Sequence, residues 1–260
     1  MEHYYKIKVS YKGTQYFGWQ VQKEGRGRTI QGQINKTLYK IFKSDKVKTV
    51  GSGRTDAGVH ALGQIFRVSA PFFIETGSLV LALNSLLPLD INVLEVEKCS
   101  DSFHPIHSAV AKQYFYLFSN EWPSDPFFYE KVTFLKGELS VTKMKEASNL
   151  FVGKHNFKNF YCEGTPVKSY EREIFECALS EKSIFYHPLD KHPHKQLIFS
   201  IKGSGFLKQM VRLIMGAIWE AGKGKLQLED LEKAISNKTT GKVGPVAPPQ
   251  GLYLNKVFYP

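Results

Sequence analysis

Cysteine is scarce in this chain of 260 residues: Cys99, Cys162 and Cys177 are odd in number and widely spaced. They form neither a disulfide framework nor a zinc-ligand pattern, as suits a reducing cytosol. Long apolar runs are missing too, none approaching the roughly 20 residues that span a bilayer. Met1-Glu2-His3-Tyr4-Tyr5 lacks the pattern of a secretory leader. These absences lead to the expectation of a cytoplasmic protein with no membrane partner. No P-loop is present, and no dinucleotide fingerprint follows a strand. No low-complexity linker divides the chain. Acidic residues are in deficit, 24 against 35 lysines and arginines, for a net charge of +11. Such a balance points to an acidic partner, with nucleic acid ahead of an anionic membrane surface. Most of the positive charge is lysine, and arginine is sparse.

What is present suffices for a core, since 42% of the residues are hydrophobic. Tyr5, Ile7 and Val9 alternate with polar residues and predict a half-buried strand. Tyr11–Gln20 is a loop of glycines, aromatics and amides, suited either to stacking on bases or to packing as a connection. Polar, basic Lys23–Arg28 follows. Thr29 can cap a helix over Ile30–Phe42, whose Ile30, Ile34, Leu38 and Ile41 make a core stripe. Strands are predicted at Val47–Val50, Gln64–Ser69 and Ile91–Val96. A helix over Leu79–Leu87, capped by Thr76 or Ser78, separates the last two. This order, strand-helix-strand-strand-helix-strand, is the ferredoxin-like split βαβ arrangement. The second half resembles it. Strands are predicted at Ala109–Ser119, Arg172–Leu179, Gln196–Ile201 and Leu252–Phe258. Helices are predicted around Met144–Phe151, over Phe206–Ala221, and around Leu228–Ile235. The expectation is an α+β protein of two ferredoxin-like halves, 1–104 and 105–260, with the junction near 100–108.

The stretch Gly51-Ser52-Gly53-Arg54-Thr55-Asp56-Ala57-Gly58-Val59-His60-Ala61-Leu62-Gly63-Gln64 holds four glycines, one carboxylate and one guanidinium. It reads as an irregular loop delivered by strands, either a reactive site or a glycine-rich turn with a solvated Asp. Asp56 is the candidate nucleophile or general base, and Arg54 beside it favours the ionised form or faces a phosphate. Arg212 lies in a largely apolar helix. It either pairs with a carboxylate such as Asp56 or shares an exposed stripe with Lys208 and Glu220. Tyr114 either stacks on a base or packs in the core. Lys154–Tyr161 interleaves basic and aromatic residues, as an RNA surface or a packed loop does. His187, His192 and His194 cluster in a proline-rich loop where a metal site is conceivable, although the signal is compositional only.

Gly53-Arg54-Thr55-Asp56-Ala57-Gly58-Val59-His60-Ala61 resembles the active-site motif of TruA-type tRNA pseudouridine synthases. Gly13-Thr14, Tyr16 and Gly18-Trp19-Gln20 are similar to that family's N-terminal loop. Thr29-Ile30-Gln31-Gly32 matches the start of its first helix, and Lys112-Gln113-Tyr114-Phe115-Tyr116 its aromatic strand. Phe206-Leu207, Met210-Val211-Arg212 and Gly216 resemble its C-terminal helix. Ala247-Pro248 and Gly251-Leu252-Tyr253-Leu254 resemble its last segment.

The resemblance implies a pseudouridine synthase fold with a joined, mainly antiparallel sheet flanked by helices and an RNA cleft between the halves. It implies a homodimer acting on uridines of the tRNA anticodon stem-loop, tRNA positions 38–40 being those expected of the family. No cofactor or metal is implied. By motif position Asp56 is the catalytic carboxylate and Tyr114 packs against the target base. Arg54 holds the substrate and Arg212 pairs with Asp56. Lys12, Ile106, Asn156 and the absence of proline in Ser169-Tyr170-Glu171-Arg172 depart from the family pattern outside this set. Two alternatives stand beside this reading: a synthase of the same type acting on another RNA, and a non-catalytic RNA-binding protein.

Overall fold

The alternation of Tyr5, Ile7, Val9 and Tyr11 continues into a strand buried on one face, and the first half of the chain is assembled around it. A computed structural model describes residues 2–22, 27–121, 126–164, 167–184 and 193–260. The chain divides into two units, Met1–Val110 with Tyr253–Pro260, and Ala111–Leu252.

The first unit runs β1 (His3–Tyr11), α1 (Ile30–Phe42), β2 (Lys48–Gly51), β3 (His60–Ala70), α2 (Thr76–Leu86) and β4 (Ile91–Lys98). β1 lies between β4 and β3, antiparallel to both, and β2 pairs antiparallel with the end of β3 from Phe66 to Ser69. This is the predicted split βαβ order. Of the α1 stripe, Ile30, Ile34 and Leu38 are buried, while Ile41 is half-buried and Phe42 beside it is buried instead. Thr29 caps that helix, its Oγ1 accepting from Gly32 N–H at 3.2 Å. The cap of α2 differs from the sequence expectation of Thr76 or Ser78. Glu75 caps it, its carboxylate accepting from the N–H groups of Gly77 (2.7 Å) and Ser78 (3.3 Å). A carboxylate there satisfies orphan donors and meets the positive end of the helix dipole.

The second unit runs β5 (Ala111–Ser119), β6 (Thr133–Phe134), α3 (Val141–Asn149), β7 (Gly153–Asn156), β8 (Glu171–Ile184), β9 (His194–Gly203), α4 (Met210–Gly222) and α5 (Leu228–Ile235). Its strands are ordered β5-β9-β8-β7, all antiparallel, with β6 parallel to β5. Tyr114, Tyr116 and Phe118 are buried on one face of β5, while Phe115 and Leu117 are only half-buried. α4 begins four residues later than the apolar run predicts. Gln209 adopts a left-handed conformation (φ 59°), which separates Phe206-Leu207-Lys208 from the helix.

The last strand, β10 (Leu252–Phe258), belongs to the first unit from Tyr253 onward. It runs parallel to β3, pairing Tyr253 with His60 and Leu254 with Ala61. With Tyr11 of β1 opposite Ala61 on the other side, β3 starts at His60 rather than at the expected Gln64. Gly63 permits it, because a Cβ there would lie 2.6 Å from the carbonyl oxygen of Asn255. Among the described residues, no helix is long and apolar enough to cross a membrane.

Candidate active site

Extension of β3 back to His60 leaves residues 52–59 as the irregular loop, and the sequence around them fixes its shape. Ser52 and Gln64 are fully buried at its base. Ser52 Oγ donates to Gln64 Oε1 at 2.6 Å, and Gln64 Nε2 donates to the Gly53 carbonyl at 2.9 Å. Farther along, Thr55 and Val59 are buried, Asp56 is half-buried, and Arg54 and Ala57 are exposed. The loop thus turns two backbone-anchoring residues inward and leaves the guanidinium and the carboxylate toward its outer side.

A second segment, residues 11–19, clasps this loop. Trp19 N–H donates to the Thr55 carbonyl (3.1 Å) and Gly58 N–H to the Tyr16 carbonyl (3.2 Å). Within the loop, Val59 N–H donates to the Asp56 carbonyl at 3.2 Å. The hydroxyls of Tyr11 and Thr55 share a buried hydrogen bond of 2.9 Å. The segments approach so closely because glycine stands at the crossings. A Cβ on Gly13 would lie 1.9 Å from the Val59 carbonyl oxygen, and one on Gly18 would lie 2.5 Å from that of Thr55. Gly18 is also left-handed (φ 84°), a conformation glycine adopts without steric cost. Gly13 N–H donates to His60 Nδ1 at 3.1 Å, and the His60 ring stacks on Tyr253 with centroids 4.7 Å apart. Tyr16 is tied down by its hydroxyl, which donates to Asp90 at 2.5 Å. Burial, reinforced by that carboxylate, pushes the Tyr16 phenol well above the usual tyrosine range.

The other two candidates lie in the second unit. Tyr114 is on β5, nearly buried, with Phe206 edge-on at 5.1 Å. Phe206 reaches this position because the chain is not yet helical there. Arg212 is in the first turn of α4 and half-buried. Its Nε donates to the Ala247 carbonyl at 2.6 Å, and Ala247 N–H donates to the Arg212 carbonyl at 3.1 Å. Of the three residues of the exposed-stripe alternative, Lys208 is exposed, and Arg212 and Glu220 are the two half-buried positions of an otherwise buried α4. Lys208 precedes the helix and donates to the Glu163 carbonyl, and Glu220 pairs with Lys223 at 3.1 Å. Arg54 and Asp56 therefore share one loop of the first unit, and Tyr114 and Arg212 belong to the second.

The basic–aromatic run at 154–161 begins in β7 and continues as a turn; its Phe157 and Phe160 are fully buried, while Lys154 and Lys158 are exposed. His187 and His192 lie outside the described residues. Among the described residues, no group of three or more His, Cys, Asp or Glu side chains is placed to hold a metal ion. Lys112 lies two residues before Tyr114 on β5, where the sequence pattern marks only an aromatic strand. Burial, with Arg172 close by, lowers its ammonium to about 8. Nothing in the residue pattern marks Tyr11 or Thr55 directly. The signal for them was indirect, in the glycines at 13 and 18 that let two loops cross.

Comparison with known proteins bears on the whole chain. A family model described as tRNA pseudouridine synthase matches residues 7–107 and 147–260. The chain is 40% identical over 257 residues to a tRNA pseudouridine synthase A of Thermodesulfovibrio yellowstonii, covering 98% of each protein. It is 37% identical over 255 residues to the protein of that name in Syntrophomonas wolfei, covering 98% of this chain and 97% of that one. The corresponding Lysinibacillus sphaericus protein is also 37% identical, over 255 residues and 98% of both.

Proposed function

The chain belongs to the tRNA pseudouridine synthase family, and from that premise we propose that Asp56 is the catalytic carboxylate of an isomerase acting on uridines in the tRNA anticodon stem-loop. Turning uridine into pseudouridine breaks the bond between the base nitrogen and the sugar. The base turns and is rejoined through carbon. The ring carbon that joins the sugar loses its proton and the freed nitrogen gains one, so the product is an isomer and nothing is consumed. A carboxylate serves this sequence as nucleophile or base, and in either role it must be ionised and in contact with the flipped nucleotide.

The observation that carries the reading is the way residues 52–59 are held. Thr55 and Val59 are buried while Asp56 between them keeps access to solvent. A carboxylate on a fixed backbone, at the edge of a glycine-rich loop, is placed to meet a base that has left its stack. We assign Arg54, exposed on the same loop, to the substrate backbone. Tyr114 is assigned to packing against the target base, and Arg212 to substrate binding. The net charge of +11 supports a polyanionic substrate. A homodimer working in the cytoplasm completes the proposal.

Pseudouridine mapping of RNA from cells with and without the gene tests the target. Loss of signal confined to the anticodon arm is expected, and loss elsewhere overturns the assignment. Complementation with Asp56→Asn tests the residue. It is expected to bind tRNA and restore no pseudouridine, and restoration at the wild-type rate overturns Asp56 as the catalytic group.

A further inference from the structure

Loop residues that must hold a reacting group need anchors, and the anchors around Asp56 can be separated. Some are bonds between backbone groups: Trp19 N–H to the Thr55 carbonyl, Val59 N–H to the Asp56 carbonyl, and Gly58 N–H to the Tyr16 carbonyl. Another is made by side chains, the 2.9 Å bond between the Tyr11 and Thr55 hydroxyls. We propose that Tyr11 is a positioning residue for Asp56, acting through Thr55. The proposal rests on the reading of Asp56 as the catalytic carboxylate.

Tyr11 is suited to this task by its place in the fold. It ends β1, with Ala61 of β3 on one side and Ile91 of β4 on the other, so its backbone is fixed by the sheet. Its ring is 5% exposed and lies 6.0 Å from Trp19. As a filler of that space a phenylalanine would serve equally well. What the hydroxyl adds is a link from the rigid strand to the side chain of the residue immediately before Asp56. Thr55 is 6% exposed, so water does not readily replace the bond. The backbone bonds fix where the Thr55–Asp56 peptide lies. The hydroxyl bond ties the Thr55 side chain to β1, and so restrains rotation of the backbone from which Asp56 leaves. The crossing is tight enough to transmit such a shift, because Gly18 packs directly on the carbonyls of Thr55 and Asp56. Errors of about 1 Å in the placement of a reacting group can cost about 100-fold in rate.

The test uses steady-state kinetics on a tRNA transcript, with thermal unfolding measured on each protein. Tyr11→Phe and Thr55→Val are each expected to lower kcat about tenfold while KM stays within about twofold, because a positioning defect acts on the reacting geometry. The double variant is expected to be no slower than either single one, since both remove the same bond. Thr55→Ser keeps the hydroxyl and is expected to restore kcat to near wild type. Asp56→Asn is measured alongside. If it is inactive while Tyr11→Phe and Thr55→Val keep wild-type kcat, the positioning role is overturned and the reading of Asp56 stands. If Asp56→Asn itself is active, that reading falls first. Multiplicative losses in the double variant, or losses carried by KM, overturn the route through Thr55. Should Tyr11→Phe fold poorly, the Thr55→Val and Thr55→Ser pair decides the matter alone.

Discussion

Replacing Gly216 by alanine sets two effects of opposite sign against each other. In the interior of an exposed helix the change stabilises by about 1 kcal/mol, because alanine gives up less backbone freedom on folding. At Gly216 the new Cβ would fall 1.8 Å from the carbonyl oxygen of Pro245 and 2.9 Å from its carbonyl carbon. Both are backbone atoms, so no side chain can swing aside. Gly244 makes the reciprocal approach, its Cβ position lying 2.8 Å from the backbone of Gly216 and Ala217. Either α4 or the 244–247 segment must then move by more than ~1 Å, since ordinary carbon–carbon contacts lie near 3.5–4.0 Å. Two bonds stand next to the contact: Ala247 N–H to the Arg212 carbonyl, and Arg212 Nε to the Ala247 carbonyl. The first contributes about 1 kcal/mol and the second, made by a charged donor, about 1.5–3 kcal/mol. Overpacking adds about 1–3 kcal/mol. Arg212 is half-buried, so water recovers part of what its bond loses. After the helix-propensity gain is subtracted, the net loss is about 3 kcal/mol. For a chain of this size that corresponds to a fall in Tm of roughly 6–12 °C. Thermal unfolding of wild type and Gly216→Ala followed by circular dichroism measures it. A variant as stable as wild type, or more so, refutes the reasoning.

Tyr116→Phe is expected to lower stability by about 1–3 kcal/mol. The Tyr116 hydroxyl donates to the Pro248 carbonyl at 2.6 Å and bonds Thr133 Oγ1 at 2.8 Å, and phenylalanine leaves both without that partner. An unchanged denaturant midpoint would exclude the effect. Glu75→Ala is expected to lower Tm at neutral pH by removing the cap of α2. Bonds from the Thr76 hydroxyl and from the Gly77 and Ser78 N–H groups hold the Glu75 carboxyl below its usual range. A depressed folded value means that this stabilisation is present above the unfolded value of about 4.3 and is lost as pH falls through the folded one. The Tm gap between wild type and variant should therefore close below about pH 4, and a gap constant from pH 3 to 7 contradicts the cap.

Periodicity was a sound guide where burial alone decides structure. The α1 stripe from Ile30 to Phe42 and the strand Leu252–Phe258 have the bounds that their patterns predict. It misled where a local choice competes with the pattern. Glu75 is a long side chain and a weaker capping residue by type than Thr76 or Ser78, yet its carboxylate reaches two N–H groups at once. Phe206-Leu207-Lys208 continues the apolar helix pattern, but Gln209 turns left-handed and frees Phe206 to meet Tyr114. The motif from Gly51 to Gln64 looked like loop throughout. Its second part is strand because distant segments pair with it: Tyr11 of β1 lies antiparallel to Ala61, and β10, almost two hundred residues later, supplies a parallel partner at His60 and Ala61. Pairing at that range leaves no trace in a window of neighbouring residues.

The candidate site obeys the same division between what neighbouring residues reveal and what distant ones decide. Asp56 and Arg54 were legible because glycines around a carboxylate mark backbone freedom. In the fold those glycines mean something else. Gly13 and Gly18 give up freedom so that two backbones can touch, Gly18 against the Thr55 and Asp56 peptides and Gly13 against Val59. The same device recurs in the second unit, where Gly216 and Gly244 bring a backbone segment onto α4 one turn after Arg212, and Ala247 bonds that arginine twice. Each charged candidate thus stands beside a crossing where no side chain intervenes. Two backbones in contact have fewer soft torsions between them than two side chains have. Groups placed this way are held more firmly than their half-exposed positions suggest. Glycine in these loops therefore acts as a means of rigidity, and substitution at the crossings should disturb the geometry of Asp56 and Arg212 more than substitution at the surface around them.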